Sequence, residues 1–265
     1  NPEGEQRWVE TLHPYYDEFG TDPSTIPEGP SRKPFDADCA AVLALFRPAV
    51  VSFHYGLPEA SLLDRVKATG ATVLSSATTV EEALWLQAQG ADAVIAQGLE
   101  AGGHRGHFLS DDLSRQQGTF SLLPQVADAV SIPVIAAGGI ASPAGVRAAM
   151  ALGATAVQVG TAYLLCPEAT TKPVHREWLN SDRAQHTALT TVFSGRPARG
   201  MVNRLMHELG CFPDTAPAVP LAGNAIGPLR AAAEAQGSGD RSPLWACLFY
   251  TPPSPRHRQK SRTAS

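Results

Sequence analysis

From Ala49 onward, short apolar runs alternate with helical patterns of roughly ten residues. No other feature constrains the fold as strongly. The runs are 49–53 (AVVSF), 72–76 (TVLSS), 93–97 (AVIAQ), 133–137 (PVIAA) and 156–160 (AVQVG). They do not alternate apolar with polar, so a strand built from any of them is buried on both faces. That is the pattern of a parallel sheet covered by helices. The helical patterns fall near 61–69, 80–89, 122–130 and 143–152. A repeated β-α unit of this kind predicts a (β/α) barrel or a doubly wound sheet.

The flanks read differently. Residues 1–46 form a helical lead-in: aromatic and apolar residues at 5–19, a Pro/Gly/Ser/Thr loop at 21–34, then a helix at 36–46 with Asp36 or Asp38 as N-cap and Pro48 closing it. Residues 47–165 hold the strands. Residues 166–240 predict a smaller, mostly helical unit, with 187–195 extended, 201–209 helical and a short helix at 228–235. Residues 241–265 carry Arg241, Arg256, Arg258, Lys260 and Arg262 and no acid. They read as a disordered basic tail, with an arm for nucleic acid or anionic lipid as the alternative.

Composition narrows the partners. The 265 residues include 21 Lys+Arg and 25 Asp+Glu, a net charge of −4. That balance argues against a phosphate-binding face for nucleic acid. No apolar run approaches the ~18 residues of a membrane helix. Cys39, Cys166, Cys211 and Cys247 lie far apart with no CxxC spacing. Neither a disulfide framework nor a metal site is indicated, and a reducing, cytoplasmic setting is expected.

Three glycine-rich turns follow strands: Gly98 to Gly106, Gly138-Gly139, and Gly160-Thr161. In parallel α/β folds the carboxyl ends of strands form the active face. Glycine there lets backbone approach a ligand and present N–H groups. Gly138-Gly139 precedes a helix, whose N-terminal dipole favours a phosphate. With Gly160-Thr161 on the next strand, the two turns fit a shared phosphate site, although tight βα turns alone would also use glycine. His104 follows two glycines on a long loop and suits acid/base work or ligand contact, a surface histidine being the alternative. Glu100 reads equally as a structural carboxylate bonding loop N–H groups. Ser52 and His54 end the first strand and are expected to face the same pocket.

These residues resemble a known family. Residues 97–106, QGLEAGGHRG, are similar to the signature loop of the nitronate monooxygenases. Residues 51–56 (VSFHYG), 83–92, 136–140 (AAGGI) and 158–161 (QVGT) resemble further family motifs. The resemblance spans about residues 1–240. It implies a (β/α)8 TIM-barrel-type fold with a smaller helical domain, FMN as cofactor, and oxidation of alkyl nitronates such as propionate 3-nitronate by molecular oxygen to a carbonyl product and nitrite. Carried over by motif, His104 is the catalytic histidine. Gln97, Gly102, Gly139, Gln158, Gly160 and Thr161 contact FMN, Gly103 and Gly138 are close neighbours in the same turns, and Ser75 lies near the flavin ring.

The resemblance also marks departures. About five strands are present where the family barrel has eight, and residues from Cys247 onward do not resemble the family. With Asn at position 1, a truncated product or fragment is expected. A partial barrel would leave two sheet edges unpaired. The alternative enzyme is a flavin-dependent enoyl-acyl-carrier-protein reductase, a relative that tends to carry Glu at the place of Gln97. A non-catalytic remnant is the third reading.

Overall fold

The computed structural model describes residues 2–27, 33–219 and 221–248. The five apolar runs form β1 (Val50–Phe53), β2 (Thr72–Ala77), β3 (Ala93–Gln97), β5 (Val134–Ala137) and β6 (Ala156–Gln158). They pair in the order β1-β2-β3-β5-β6, every pair parallel. Between them run the helices α2 (Ala37–Phe46, before β1), α3 (Ala60–Lys67), α4 (Val80–Ala88), α5 (Thr119–Ala129) and α6 (Pro143–Ala151, before β6). This is the (β/α)-barrel type of architecture, one of the two that the alternation predicts and the one that the family resemblance implies, with five strands of the parallel sheet present.

Burial follows position in the sheet. All five residues of central β3 are buried, whereas Ala156 and Gln158 of β6 and Val50 and Ser52 of β1 are exposed. Among the described residues, β1 and β6 each pair on one side only. The main core lies between the sheet and α4 and α5. There Leu86, Leu122, Leu123 and Val126 pack on the small residues Ala77, Ala96 and Ala136. Each large side chain so buried contributes roughly 1.5–3 kcal/mol.

Helix boundaries follow local chemistry. Asp36 caps α2 as expected, accepting the Cys39 N–H at 2.9 Å. Thr79 caps α4 and Ser142 caps α6 in the same way. The stretch 201–209 is helical only from α8 (Arg204–Leu209), because Asn203 caps it, accepting from Met206 N, and Met201 ends a strand.

The flanks depart from the expected division. The first helix, α1 (Pro2–Phe19), packs on the last, α9 (Leu221–Ala235). Trp8, Leu12 and Tyr16 share one core with Ala222, Ala225, Ile226 and Leu229. Trp8 Nε1 donates to the Ala222 carbonyl at 3.1 Å, and the Tyr16 hydroxyl donates to that of Ala225. Burial pushes the Tyr16 phenol up to about 12, so it remains a donor. The lead-in helix is thus part of the smaller unit's core. That burial also carries α9 through Pro228, where sequence propensity had started the helix.

The smaller unit also contains a three-stranded antiparallel sheet that periodicity did not reveal. Its strands are β4 (Gly103–His104), β7 (Thr187–Thr190) and β8 (Ala198–Met201), ordered β4-β8-β7. The helix α7 (Pro173–Leu179) packs on a third cluster with Met201, Leu244 and Ala246.

The expected tail begins too early. Arg241 is 3% exposed, donates to Glu18 Oε2 at 2.9 Å and lies 4.4 Å over the Phe19 ring. Leu244 accepts from Met201 N, Trp245 bridges to Gly200, and Leu248 N donates to the Glu100 carbonyl. Residues 241–248 are therefore packed chain: Arg241 has a carboxylate and rings to meet, which one-dimensional charge counting does not register. The remaining expected tail, 249–265, lies outside the described residues. No helix among the described residues is long and apolar enough to cross a membrane, and none of their His, Cys, Asp and Glu side chains form a metal-binding group.

Candidate active site

The carboxyl ends of β1, β2, β3, β5 and β6 open into one cavity of about 530 Å³. Each wall is built from a strand end and the turn that follows it.

The β5 corner is set by backbone. Gly138 has φ +124° and Gly139 φ +67°, both unfavourable for a residue with a Cβ. A Cβ on Gly138 would also lie 2.7 Å from Thr119 Oγ1 and 2.9 Å from Ala101 N. The β6 corner is different: Gly160 has φ −109°, and a Cβ there would meet no heavy atom within 4 Å. Thr161 beside it is buried, and its Oγ1 accepts the Cys247 N–H at 3.0 Å.

The loop after β3 wraps a buried cation. Arg105 is fully buried and donates to the carbonyls of Gly98 (2.7 Å) and Gln97 (2.9 Å) and to Gln116 Oε1 (2.7 Å). Burial, with Arg199 nearby, lowers its guanidinium to about 10, still charged at neutral pH. Glu100 takes its structural reading. Helix α5 begins at Gly118, which has no capping side chain, and Glu100 Oε2 supplies the cap by accepting from Thr119 N and Oγ1, both at 2.7 Å. The carboxylate is committed to the helix end and does not line the cavity.

His104 lines the cavity from a strand, where a long loop was expected. It pairs with Ala198, and the next residue continues the ladder through Arg105 N to the Pro197 carbonyl. Its carbonyl accepts from Gln97 Nε2 at 3.0 Å and from His54 Nε2 at 3.3 Å. Its ring Nε2 lies 2.8 Å from Ser194 Oγ, and Trp245 packs edge-on at 5.4 Å between ring centroids. Since His54 Nε2 faces a carbonyl, it carries the proton, and the neutral ring's Nδ1 accepts from Ser76 Oγ at 3.1 Å. Burial lowers the His54 pKa; nearby Arg196, Arg105 and His107 add to the shift, and the bond to His104 opposes it.

Beside it Tyr55 holds φ +70°, a strained conformation for a bulky residue. The Arg196 guanidinium lies 3.9 Å over its ring and steadies it. Among the described residues no carboxylate lines the cavity, while Arg196 and Arg105 stand close enough to disfavour a charge on His54. The cavity therefore suits an anion.

Of the expected residues, Gln97, Gly102, Gly138, Gly139, Gln158, Gly160 and Thr161 come together here with His104, and so do Ser52 and His54. Gln97 lines the cavity, but its amide is spent on the loop: Oε1 accepts Gly106 N–H at 2.7 Å while Nε2 holds His104. Two expected residues do not line the cavity. Gly103 sits in β4 at φ +76°, and Ser75 is fully buried, donating to the Gly56 carbonyl at 2.8 Å. Its neighbour Ser76 faces the cavity instead. Strand parity explains this: Ser52 pairs with Leu74 in the parallel register, so the residues sharing its face on β2 are Leu74 and Ser76.

Tyr55, Ser194 and Cys247 were not singled out for this site. Cys247 reaches the cavity between Thr161 and Gly139. Burial raises its thiol pKa, and hydrogen bonds from both neighbours draw it back. Packing of residues 246–247 against Gly102 brings it there: a Cβ on Gly102 would come within 2.5 Å of Cys247 N.

A strand-end cavity lined by glycine corners and imidazoles is the kind of site a barrel enzyme carries. The comparisons give the family. Residues 11–249 match the family model described as nitronate monooxygenase. The chain is 42% identical to the nitronate monooxygenase of Pseudomonas aeruginosa, covering 93% of this chain and 71% of that protein. It is likewise 42% identical to that of Paraburkholderia phytofirmans, with coverages of 91% and 67%. Among solved structures, nitroalkane oxidase from Streptomyces ansochromogenes superposes with a TM-score of 0.82 at 38% identity, covering 93% of this chain and 70% of that one. The chain belongs to the nitronate monooxygenase family, a family of oxidoreductases.

Proposed function

We propose that this chain carries out FMN-dependent oxidation of alkyl nitronates, propionate 3-nitronate among them, by molecular oxygen, giving a carbonyl product and nitrite. The observation that carries this reading is the convergence of His104 and the two glycine corners on one cavity. The names of the relatives, nitronate monooxygenase and nitroalkane oxidase, support the substrate class.

The residues present fit FMN. Gly160 lines the cavity with open space where a Cβ would stand, and a ligand can lie directly against its backbone. In this reading Gly138, Gly139, Gly160 and Thr161 hold the phosphate, and Gln97, Gly102 and Gln158 border the flavin. Bound FMN supplies the redox capacity between substrate and oxygen. The protein supplies charge and orientation. His104, protonated, donates a hydrogen bond to the oxygens of a nitronate; neutral, it removes the α proton of a nitroalkane. Gln97 and His54 hold its backbone while this happens. The four free thiols accord with a reducing, cytoplasmic setting.

The test is an absorbance spectrum of the purified protein with FMN, followed by oxygen uptake on adding propionate 3-nitronate. Flavin binding with oxygen uptake and nitrite release is expected. Absence of both flavin binding and uptake would overturn the reading. His104→Ala is expected to keep flavin and to lower turnover of a neutral nitroalkane by at least about a hundredfold, the usual weight of a general base.

A further inference from the structure

We propose that Arg196 determines which substrate charge the cavity accepts: its guanidinium, set against the β1 wall, makes the site select an anionic nitronate over the neutral nitroalkane of the same skeleton. This rests on the functional reading above and deepens it.

The cation is held without a carboxylate. Its guanidinium lies 3.9 Å from the centroid of the Tyr55 ring and donates to the His107 carbonyl. Its Nε is buried and meets no acceptor among the described residues. None of the ion pairs formed by the described residues includes Arg196. A guanidinium bonded only to a carbonyl and a ring keeps its charge for whatever lies beside it.

Backbone fixes this placement. Gly195, just before it, has φ +76°, and a Cβ there would fall 2.0 Å from the Pro217 carbonyl oxygen. Gly195 N donates to the Thr191 carbonyl at 2.7 Å, and Arg196 N donates to Ser194 Oγ at 3.3 Å. Just after it, the Pro197 carbonyl accepts from Arg105 N at 2.8 Å.

Arg196 does not itself line the cavity, whereas His54 and Tyr55 do, so its charge acts through that wall. The wall stands at the end of β1. In the sheet order, β1 lies three strand spacings from β5, about 14 Å away. The phosphate corners are at β5 and β6, so the β1 wall borders the part of the cavity left to substrate. Other charges face the same wall. Arg105 and His107 also act on His54. The acids Glu82 and Asp111 act on His107, and Glu100 on Arg105. Glu82 is committed to Thr78 N and Phe108 N, Glu100 to Thr119 N, and exposed Asp111 lies 3.5 Å from His107 Nε2. Arg196 is the cation in contact with the wall itself. About 8 Å away, a ring's breadth beyond Tyr55, one unit charge alters the affinity for an anion by roughly ten- to thirtyfold at intermediate dielectric, and that for a neutral ligand far less.

The experiment compares KM for ethyl nitronate and for nitroethane in the FMN-loaded protein. In wild type the nitronate should have a KM lower by at least about tenfold. Equal values would overturn the proposal whether or not any variant folds. Arg196→Gln, and Arg196→Met with its apolar side chain still able to pack on Tyr55, should each raise KM for the nitronate by about tenfold or more and leave that for nitroethane nearly as it is. Arg196→Lys, which restores the charge, should recover most of the difference. An equal rise in both KM values, or no change in either, would overturn the proposal. The second readout is the ionisation of His54, followed by NMR titration of nitrogen-15-histidine-labelled protein and assigned by its loss in His54→Asn. Its pKa should rise toward the ordinary value in Arg196→Gln and fall again in Arg196→Lys; one value in all three proteins would overturn the proposal. The titration needs neither flavin nor turnover. Failure of both substrates to drive oxygen uptake would therefore count against the functional reading, and an unaltered His54 ionisation against Arg196.

Discussion

The two glycine corners of the cavity look alike in sequence and are glycine for different reasons. At the β5 corner the protein itself excludes a side chain: Gly138 and Gly139 have positive φ, and Thr119, Ala101 and Glu100 occupy the space a Cβ would take. At the β6 corner the protein imposes neither condition, since Gly160 has ordinary negative φ and open space around it. The first corner is a requirement of folding. The second is a requirement only if something else comes to fill the space. The absence of a side chain is therefore more informative about a ligand where the fold would have tolerated one.

This contrast can be broken by substitution. Gly138→Ala is expected to have the largest effect on stability, a loss of about 3 kcal/mol from left-handed strain and overpacking together. It would be read as a lower urea midpoint; an unchanged midpoint would erase the difference between the corners. Gly160→Ala is expected to leave stability within about 0.5 kcal/mol. It should weaken FMN binding at least about tenfold, or 1.4 kcal/mol, in a flavin-fluorescence titration. Unaltered affinity would remove the ligand explanation for that glycine.

Glu100→Gln sharpens the comparison, because Glu100 abuts only the β5 corner: a Cβ on Gly139 would lie 3.2 Å from its own. Loss of the charged cap on α5 is expected to cost about 1 kcal/mol and to speed amide exchange in the first turn of that helix. The β6 corner should not respond.

The smallest effect separates both corners from three histidines, of which His54 lines the cavity. Burial lowers the pKa values of His54, His107 and His175 below their ordinary 6.5. As pH falls below about 6.5, the unfolded chain takes up protons that the folded chain refuses. Stability therefore declines with acidification through that window and is at full value above it. Urea titrations from pH 7.5 to about 5.5 should show this slope. His107→Asn should make it shallower, and Gly160→Ala should leave it as in wild type.

Much of the architecture was legible in the pattern of residues. Strands buried on both faces have to be apolar throughout, so all five announced themselves, and the turns after them marked the face of the cavity. Parity misled at one place: without the register, nothing distinguished Ser75 from Ser76, although pairing Ser52 with Leu74 decides between them. Charge pattern alone makes Arg241 look like tail, because its partner Glu18 lies 223 positions away. Strand β4, two residues long, has no periodicity to detect, and only its pairing with β8 shows that His104 is held rather than loose.

The positions of the strands and of the glycine corners were determined by sequence, because each depends on local backbone preference or on an apolar run long enough to be buried, and the motif resemblance singled out the His104 imidazole. Which atoms surround that imidazole was decided by tertiary structure. Ser194, Trp245 and His54 reach it from sequence separations of 90, 141 and 50 residues. A hydrogen bond depends on distances of a few tenths of an ångström, and these exist only after the chain has packed.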